Sequence, residues 1–173
     1  MNKYIIDANV ALLSGTPVKS IPRDQLRCAC KCVAFIREFM ENPQSSLVLD
    51  AEGRILKEYR GANTLGGSPN MANVFSIWAH QHAGKNVEDF ISLRERAENE
   101  FEEYPDSEKL KIFDPPDRKY IALAYKRKEK PPIVEASDSK WWGIREELEK
   151  CGVAVRFIDE DYIKQKYLKK IGS

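Results

Sequence analysis

Asp7, Glu58, Asp117 and Asp138 are acids whose settings in the chain point to chemistry. Tyr4-Ile5-Ile6 is a short apolar run that ends in Asp7-Ala8-Asn9-Val10, so a carboxylate terminates what reads as a buried strand. Ile133-Val134-Glu135-Ala136-Ser137-Asp138 repeats that arrangement far along the chain. Asp117 follows Asp114-Pro115-Pro116 and opens an amphipathic segment, and Glu58 lies in the helical pattern Arg54 to Arg60. In a parallel α/β sheet, strand ends and neighbouring helix starts converge on one edge, where ligands bind. Carboxylates gathered there repel one another unless a cation or shared protons neutralise them. A divalent Mg²⁺ or Mn²⁺ prefers such an all-oxygen donor set. It would polarise a phosphodiester, generate a hydroxide nucleophile and steady the leaving oxygen, with one ion or two. Each acid also has a structural role open to it. Asp7, Asp117 and Asp138 can cap the turns that follow them, and Glu58 can pair with Lys57 or Arg54 in solvent. The joint pattern carries the metal reading. Asp50 and Asp114 are further acids that either join the site or cap neighbouring structure, and Asp114, three residues before Asp117, is the nearer auxiliary ligand.

The elements that must position these acids alternate between strand and helix. Residues 3–7 read as a first strand, and 8–23, with Gly15, Pro17 and Pro22, as a loop with at most a turn of helix. Asp24 to Glu41 carries a helical apolar pattern stopped by Asn42-Pro43. Leu47 to Asp50 is a second strand, Arg54 to Arg60 a helix, and Gly61, Gly66-Gly67 and Pro69 a spacer. Ala72 to His82 reads as a helix, Val87 to Leu93 as a strand or short helix, and Glu95 to Glu103 as an acidic, solvated stretch. Arg118 to Lys128 is a helix, Ile133 to Ala136 a strand, Trp141 to Cys151 a helix ended by Gly152, and Val153 to Ile158 a last strand. A lysine-rich terminal helix or tail completes the chain. The alternation predicts an α/β fold, a three-layer α/β/α sandwich around a mainly parallel sheet.

Composition narrows the classes. The chain has 173 residues, 42% of them hydrophobic and 32% charged, enough for one domain with a substantial core. Its net charge of +1 means that any contact with a polyanion must come from bases placed locally. The longest apolar runs fall well short of the roughly 18 residues that span a bilayer, and the start has no signal-peptide layout, so a cytoplasmic location is expected. Cys28, Cys30 and Cys32 lie within a helical pattern with no second ligand pair to complete a zinc site. They and Cys151 read as small hydrophobes. His80 and His82 lack acidic or cysteine partners at ligand spacing, and Gly66-Gly67 lacks the lysine and hydroxyl of a P-loop.

The acids, in their order along nearly the whole chain, resemble those of PIN-domain nucleases. Tyr4-Ile5-Ile6-Asp7-Ala8-Asn9-Val10 resembles the family's opening hydrophobic-Asp-x-Asn-Val motif, and Ile55-Leu56-Lys57-Glu58-Tyr59 its helical glutamate. Asp117 to Ala124 is similar to the third motif, an acid opening a helix with alanine seven places on, and Val134 to Trp141 to the fourth. The resemblance implies a single PIN-like domain over 1–173 with an insertion around 61–113. It further implies a Mg²⁺- or Mn²⁺-dependent endoribonuclease with Asp7, Glu58, Asp117 and Asp138 as ligands, and Asn9 and Ser137 as supporting groups. Small solitary members are often toxins, so a partner antitoxin protein belongs to the implication. Lys140 departs from the pattern, because many members carry a second acid there.

Bases at the rim of an acidic centre would hold RNA phosphates. Arg54, Lys119 and Lys140 are adjacent to the acids and are expected to do so, whereas Lys126-Arg127-Lys128 and the terminal lysines read as solvated. Of Trp141 and Trp142, one reads as core and the other as a stacking surface if exposed. Exposed aromatic residues in 72–82 would suit a homodimer interface. Two other readings stand beside the ribonuclease: a hydrolase acting on DNA or another phosphate ester, and a catalytically silent scaffold that binds RNA or protein.

Overall fold

The computed structural model describes residues 2–62, 70–82 and 89–172. Four parallel strands form the central sheet in the order β2-β1-β7-β8, comprising β1 (Asn2–Ile6), β2 (Ser45–Leu47), β7 (Ile133–Glu135) and β8 (Val155–Phe157). Ile5, Ile6, Ile133 and Val134 are fully buried, as central parallel strands covered on both faces require. The helices are α1 (Ala8–Gly15), α2 (Leu26–Glu41), α3 (Arg54–Ala62), α4 (Met71–His82), α5 (Glu108–Lys111), α6 (Arg118–Lys126), α7 (Lys140–Lys150) and α8 (Glu160–Ile171). The α/β class with a central parallel sheet is therefore present, in an arrangement compatible with a three-layer sandwich. Among the described residues no helix is long and apolar enough to cross a membrane.

The chain leaves β1 towards β2 on one side and β7 towards β8 on the other. The strand order thus reverses between β1 and β7, and in open parallel sheets the crevice at the carboxyl ends of such a pair is where ligands bind. Register fixes what stands there. Ile6 is opposite Val134, and the Asp7 amide donates to the Val134 carbonyl at 2.9 Å, so the next residues along, Asp7 and Glu135, are neighbours.

Several expected elements are corrected. Residues 8–15 are helical, not loop: Asp7 is the N-cap of α1, its Oδ1 accepting the Asn9 amide at 2.8 Å, and Gly15 lets α1 approach α4. A Cβ at Gly15 would fall 2.5 Å from the Ala72 Cβ. The second strand is split into β2 and the short β3 (Leu49–Asp50), which pairs in parallel with β4 (Phe90–Ile91). The acidic stretch 95–103 is a hairpin of β5 (Glu95–Ala97) and β6 (Glu100–Phe101), pinned by buried Phe101. The helix after Asp117 ends at Lys126, with Arg127 extended behind it. Residues 63–69, including Gly66-Gly67, and residues 87–88 lie outside the described ones.

Aromatic packing positions the helices on either side of the acids. Tyr4, Phe35, Phe39, Phe75 and Trp78 stack or meet edge to face with centroids 5.4–6.4 Å apart, tying α2 and α4 to β1. Phe75 is buried in this cluster and Trp78 is half-buried, so the exposed large apolar residues of α4 are not aromatic but Val74 and Ile77. Trp141 is fully buried against Phe113, and Trp142 is 8% exposed with the Arg145 guanidinium over its ring, so neither tryptophan is open for stacking.

Candidate metal centre at the carboxyl edge of the sheet

Asp114, Asp117 and Asp138 each offer a carboxylate oxygen, and these oxygens lie within 4.8 Å of one another. Asp114 and Asp117 bracket the 3₁₀ turn Pro115–Asp117, and Asp138 follows β7. Two of the three are not spent on capping. Asp117 stands at the N-cap position of α6 and Asp114 at that of the 3₁₀ turn, yet neither side chain bonds to the turn it precedes. Asp138 Oδ1 accepts the Lys140 amide at 3.0 Å.

Asp7 and Glu135 lie deeper, at 2% and 0% exposure. Each has one oxygen in use: Asp7 Oδ1 as the α1 cap, and Glu135 Oε1 accepting the amides of Ser137 and Asp138, both at 2.8 Å. The other two, Asp7 Oδ2 and Glu135 Oε2, are buried with no hydrogen-bond donor. The two carboxyls are close enough that a hydrogen bond between them forms if one is protonated. Burial raises the Asp7 carboxyl well above its usual range, and the charge of Glu135 adds to the rise. Burial likewise lifts Glu135 to about 7. Asp117 rises to about 7, first through burial and then through the nearby charge of Asp7, against the opposing pull of Lys119. Only a proton or a cation makes such a group of acids comfortable.

Glu58 stands at the other end of the group. The Lys119 ammonium is 2.6 Å from Glu58 Oε1, the Tyr120 hydroxyl donates to Oε2, and that same hydroxyl accepts the Ala8 amide at 3.2 Å. The alternative pairing with Lys57 or Arg54 gives way to these two partners, while the Glu58 carboxylate itself stays 38% exposed. Tyr59 faces inward and donates to the Ile6 carbonyl at 2.5 Å, which anchors α3 to the end of β1. Asp50 caps α3 with both oxygens, to Arg54 N at 2.7 Å and Ile55 N at 2.9 Å, and takes no part in the cluster.

The bases expected at phosphate contacts each meet a carboxylate. Lys119 pairs with Glu58, Lys140 with Asp114, and Arg54 with Glu52 at 2.8 Å and Glu95 at 2.7 Å. Asn9 and Ser137 line a cavity of about 790 Å³ together with Asp138 and, from α8, Lys166, Lys169 and Lys170. Three of the terminal lysines, Lys166, Lys169 and Lys170, thus lie in the same cavity lining as Asp138. Lys126, by contrast, is bonded to Glu103 and the Ser92 carbonyl. A smaller cleft of about 430 Å³ opens at the Glu58 end between α3 and α6.

Glu135 is the member of this candidate site that the sequence reading did not single out. The signal was present: an acid among Ile133, Val134 and Ala136 in a strand buried throughout, where a carboxylate costs energy without a partner. The other polar candidates take structural places. His80 accepts from Arg60 and donates to the Ser76 carbonyl, and His82 stacks on Trp78, both on α4. All four cysteines are free, Cys28 and Cys32 buried and Cys30 exposed, with the Cys28 thiol donating to the Ala136 carbonyl at 3.3 Å. Compared with known proteins, the chain matches no family model, no curated protein and no solved structure.

Proposed function

We propose that this chain is a divalent-metal-dependent endoribonuclease of PIN-like design, cutting RNA at the crevice between the ends of β1 and β7. One observation carries the reading: three acids with oxygens within 4.8 Å stand at the strand-order reversal, in front of two buried carboxyls that each hold an unpartnered oxygen. The donor set is all oxygen, which fits a hard ion such as Mg²⁺ or Mn²⁺. Such an ion, when bound, supplies Lewis-acid polarisation of a phosphodiester and a more acidic water.

The chain's own residues do the rest. Asp114, Asp117 and Asp138 would hold the ion, with Asp7 and Glu135 as the negative floor beneath them. Tyr120 and Lys119 fix the Glu58 carboxylate by a hydrogen bond and an ion pair. The Asn9 amide and Ser137 hydroxyl are at the groove wall, in place to meet phosphate or ribose oxygens.

The test is cleavage of labelled single-stranded RNA with Mn²⁺, with EDTA, and by the Asp7→Asn/Asp117→Asn variant, with DNA of the same sequence alongside. Metal-dependent cutting of RNA that the variant loses is the expected result. Preferential cutting of DNA would replace the substrate class. A second reading, a silent scaffold, is favoured by one observation: the Lys140 ammonium sits on Asp114, within the acid cluster. Inert wild type and a fold that Mn²⁺ does not stabilise would decide for it.

A further inference from the structure

We infer that the centre takes one divalent ion and not two, because the Lys119 ammonium already holds the cation place at Glu58. The inference deepens the metal-dependent reading above and rests on it for the ion. The acids divide into two ends. At one, Asp114, Asp117 and Asp138 bring oxygens within 4.8 Å of one another, a set that Glu58 does not join. At the other, both Glu58 oxygens have a partner: the Lys119 ammonium is 2.6 Å from Oε1, and the Tyr120 hydroxyl donates to Oε2. Asp7 links the ends, since the charge of Glu58 bears on its carboxyl and its own charge bears on Asp117.

Burial decides which of the two lysines at the acids can yield to an ion. Lysine is almost never buried unless paired, and only 4% of the Lys119 side chain is exposed. Besides meeting Glu58, its ammonium donates to the Pro116 carbonyl and lies 4.6 Å from the centre of the Tyr120 ring. Pro116 belongs to the turn that carries Asp117, so one ammonium ties α3 to that turn. Lys140, 44% exposed beside Asp114, can swing into solvent. Lys119 cannot leave without giving up the Pro116 carbonyl and the Tyr120 face. A dication at Glu58 would therefore meet a fixed positive charge, and like charges at such distances repel strongly. Access is not what keeps an ion out, because Glu58, Pro116 and Lys119 line the open cleft of about 430 Å³. Lys119 is thus a positioning residue, neutralising Glu58 and leaving the ion to the three aspartates.

The test counts tightly bound Mn²⁺ per full chain, from the electron paramagnetic resonance signal of the ion left free in a titration. Wild type should take up one ion. Lys119→Met, which keeps the length of the stem without its charge, should take up two, and Lys119→Met/Glu58→Gln should return to one. Glu58→Gln alone should hold its single ion within about threefold of the wild-type affinity, because Glu58 contributes a partly screened charge and no ligand bond. Two ions in wild type, or one in a folded Lys119→Met, would overturn the inference. So would a loss of about tenfold or more in Glu58→Gln, a comparison that stands whether or not Lys119→Met folds. The same titration separates this inference from the reading beneath it. No ion on wild type would sink both, whereas RNA cleavage by a wild type holding two ions would keep the nuclease and sink the single-ion centre.

Discussion

Replacing Glu135 by glutamine should stabilise the metal-free protein increasingly as pH rises. Glutamine keeps the oxygen that accepts the Ser137 and Asp138 amides, and sets an NH₂ donor beside the unpartnered Asp7 Oδ2. It also removes an acid whose native-state pKa stands at about 7 against an ordinary 4.5. Between those values the native state binds more protons than the unfolded state, so wild-type stability falls with rising pH through this window and levels off above it. At about 1.4 kcal/mol for each pH unit, the relief in the variant grows by about 2–3 kcal/mol from pH 5 to pH 8. For a chain of this size that is roughly 5–10 °C in Tm. Thermal unfolding followed by circular dichroism in EDTA, at half-unit steps of pH, reads it directly. A gap between variant and wild type that stays constant with pH, or a variant less stable at pH 8, would refute the picture of two confined carboxyls. With Mn²⁺ added the order should reverse, because the variant has lost part of the negative floor.

The same acids make metal binding proton-linked: with Asp117 and Glu135 both near 7, the Mn²⁺-induced rise in Tm should be larger at pH 8 than at pH 6, as differential scanning fluorimetry would show. A rise that is independent of pH would mean that the ion binds elsewhere. Lys140→Ala should tighten Mn²⁺ binding by about 3–10-fold in a calorimetric titration, since an ammonium beside the cluster competes with the ion. Tyr59→Phe should cost about 1–2 kcal/mol in urea unfolding by leaving the buried Ile6 carbonyl without its donor. Gly143→Val should loosen α8, because even a Cβ there falls 2.9 Å from the Tyr167 ring; the readout is faster amide exchange across 160–171 with the sheet unchanged.

How far the site was legible in sequence depended on whether a residue's role was local. Asp7 was readable because a carboxylate closing an apolar strand is unusual in itself. Asp117 was readable from the two prolines before it, which start a helix without needing its side chain. Glu135 was harder, since its meaning comes from the register that sets β7 against β1, a partner more than a hundred residues away. The terminal lysines failed for the same reason: local pattern gives an amphipathic basic helix, and only packing through Ile163 and Tyr167 turns that face towards Ser137. Helix α1 was hidden by the glycine that ends it and the prolines that follow, although Asp7 already supplied its cap. The parallel sheet was legible because the alternation of short apolar runs and helical patterns leaves few other topologies.

Lys140 gives the acid cluster a tethered counter-ion. Its ammonium, on a stem rooted in the first turn of α7, rests on Asp114 and feels Asp138 and Asp117. On the proposed nuclease reading, a divalent ion entering among these three acids would exchange with that ammonium and release the side chain for a substrate phosphate. By linkage, whatever one event gains the other gains equally. Substrate phosphate that captured Lys140 would make room for the ion, and an ion that displaced Lys140 would free it for phosphate. On the proposed nuclease reading Lys140 would thereby be a coupling element, and metal affinity measured without RNA would understate the affinity in its presence.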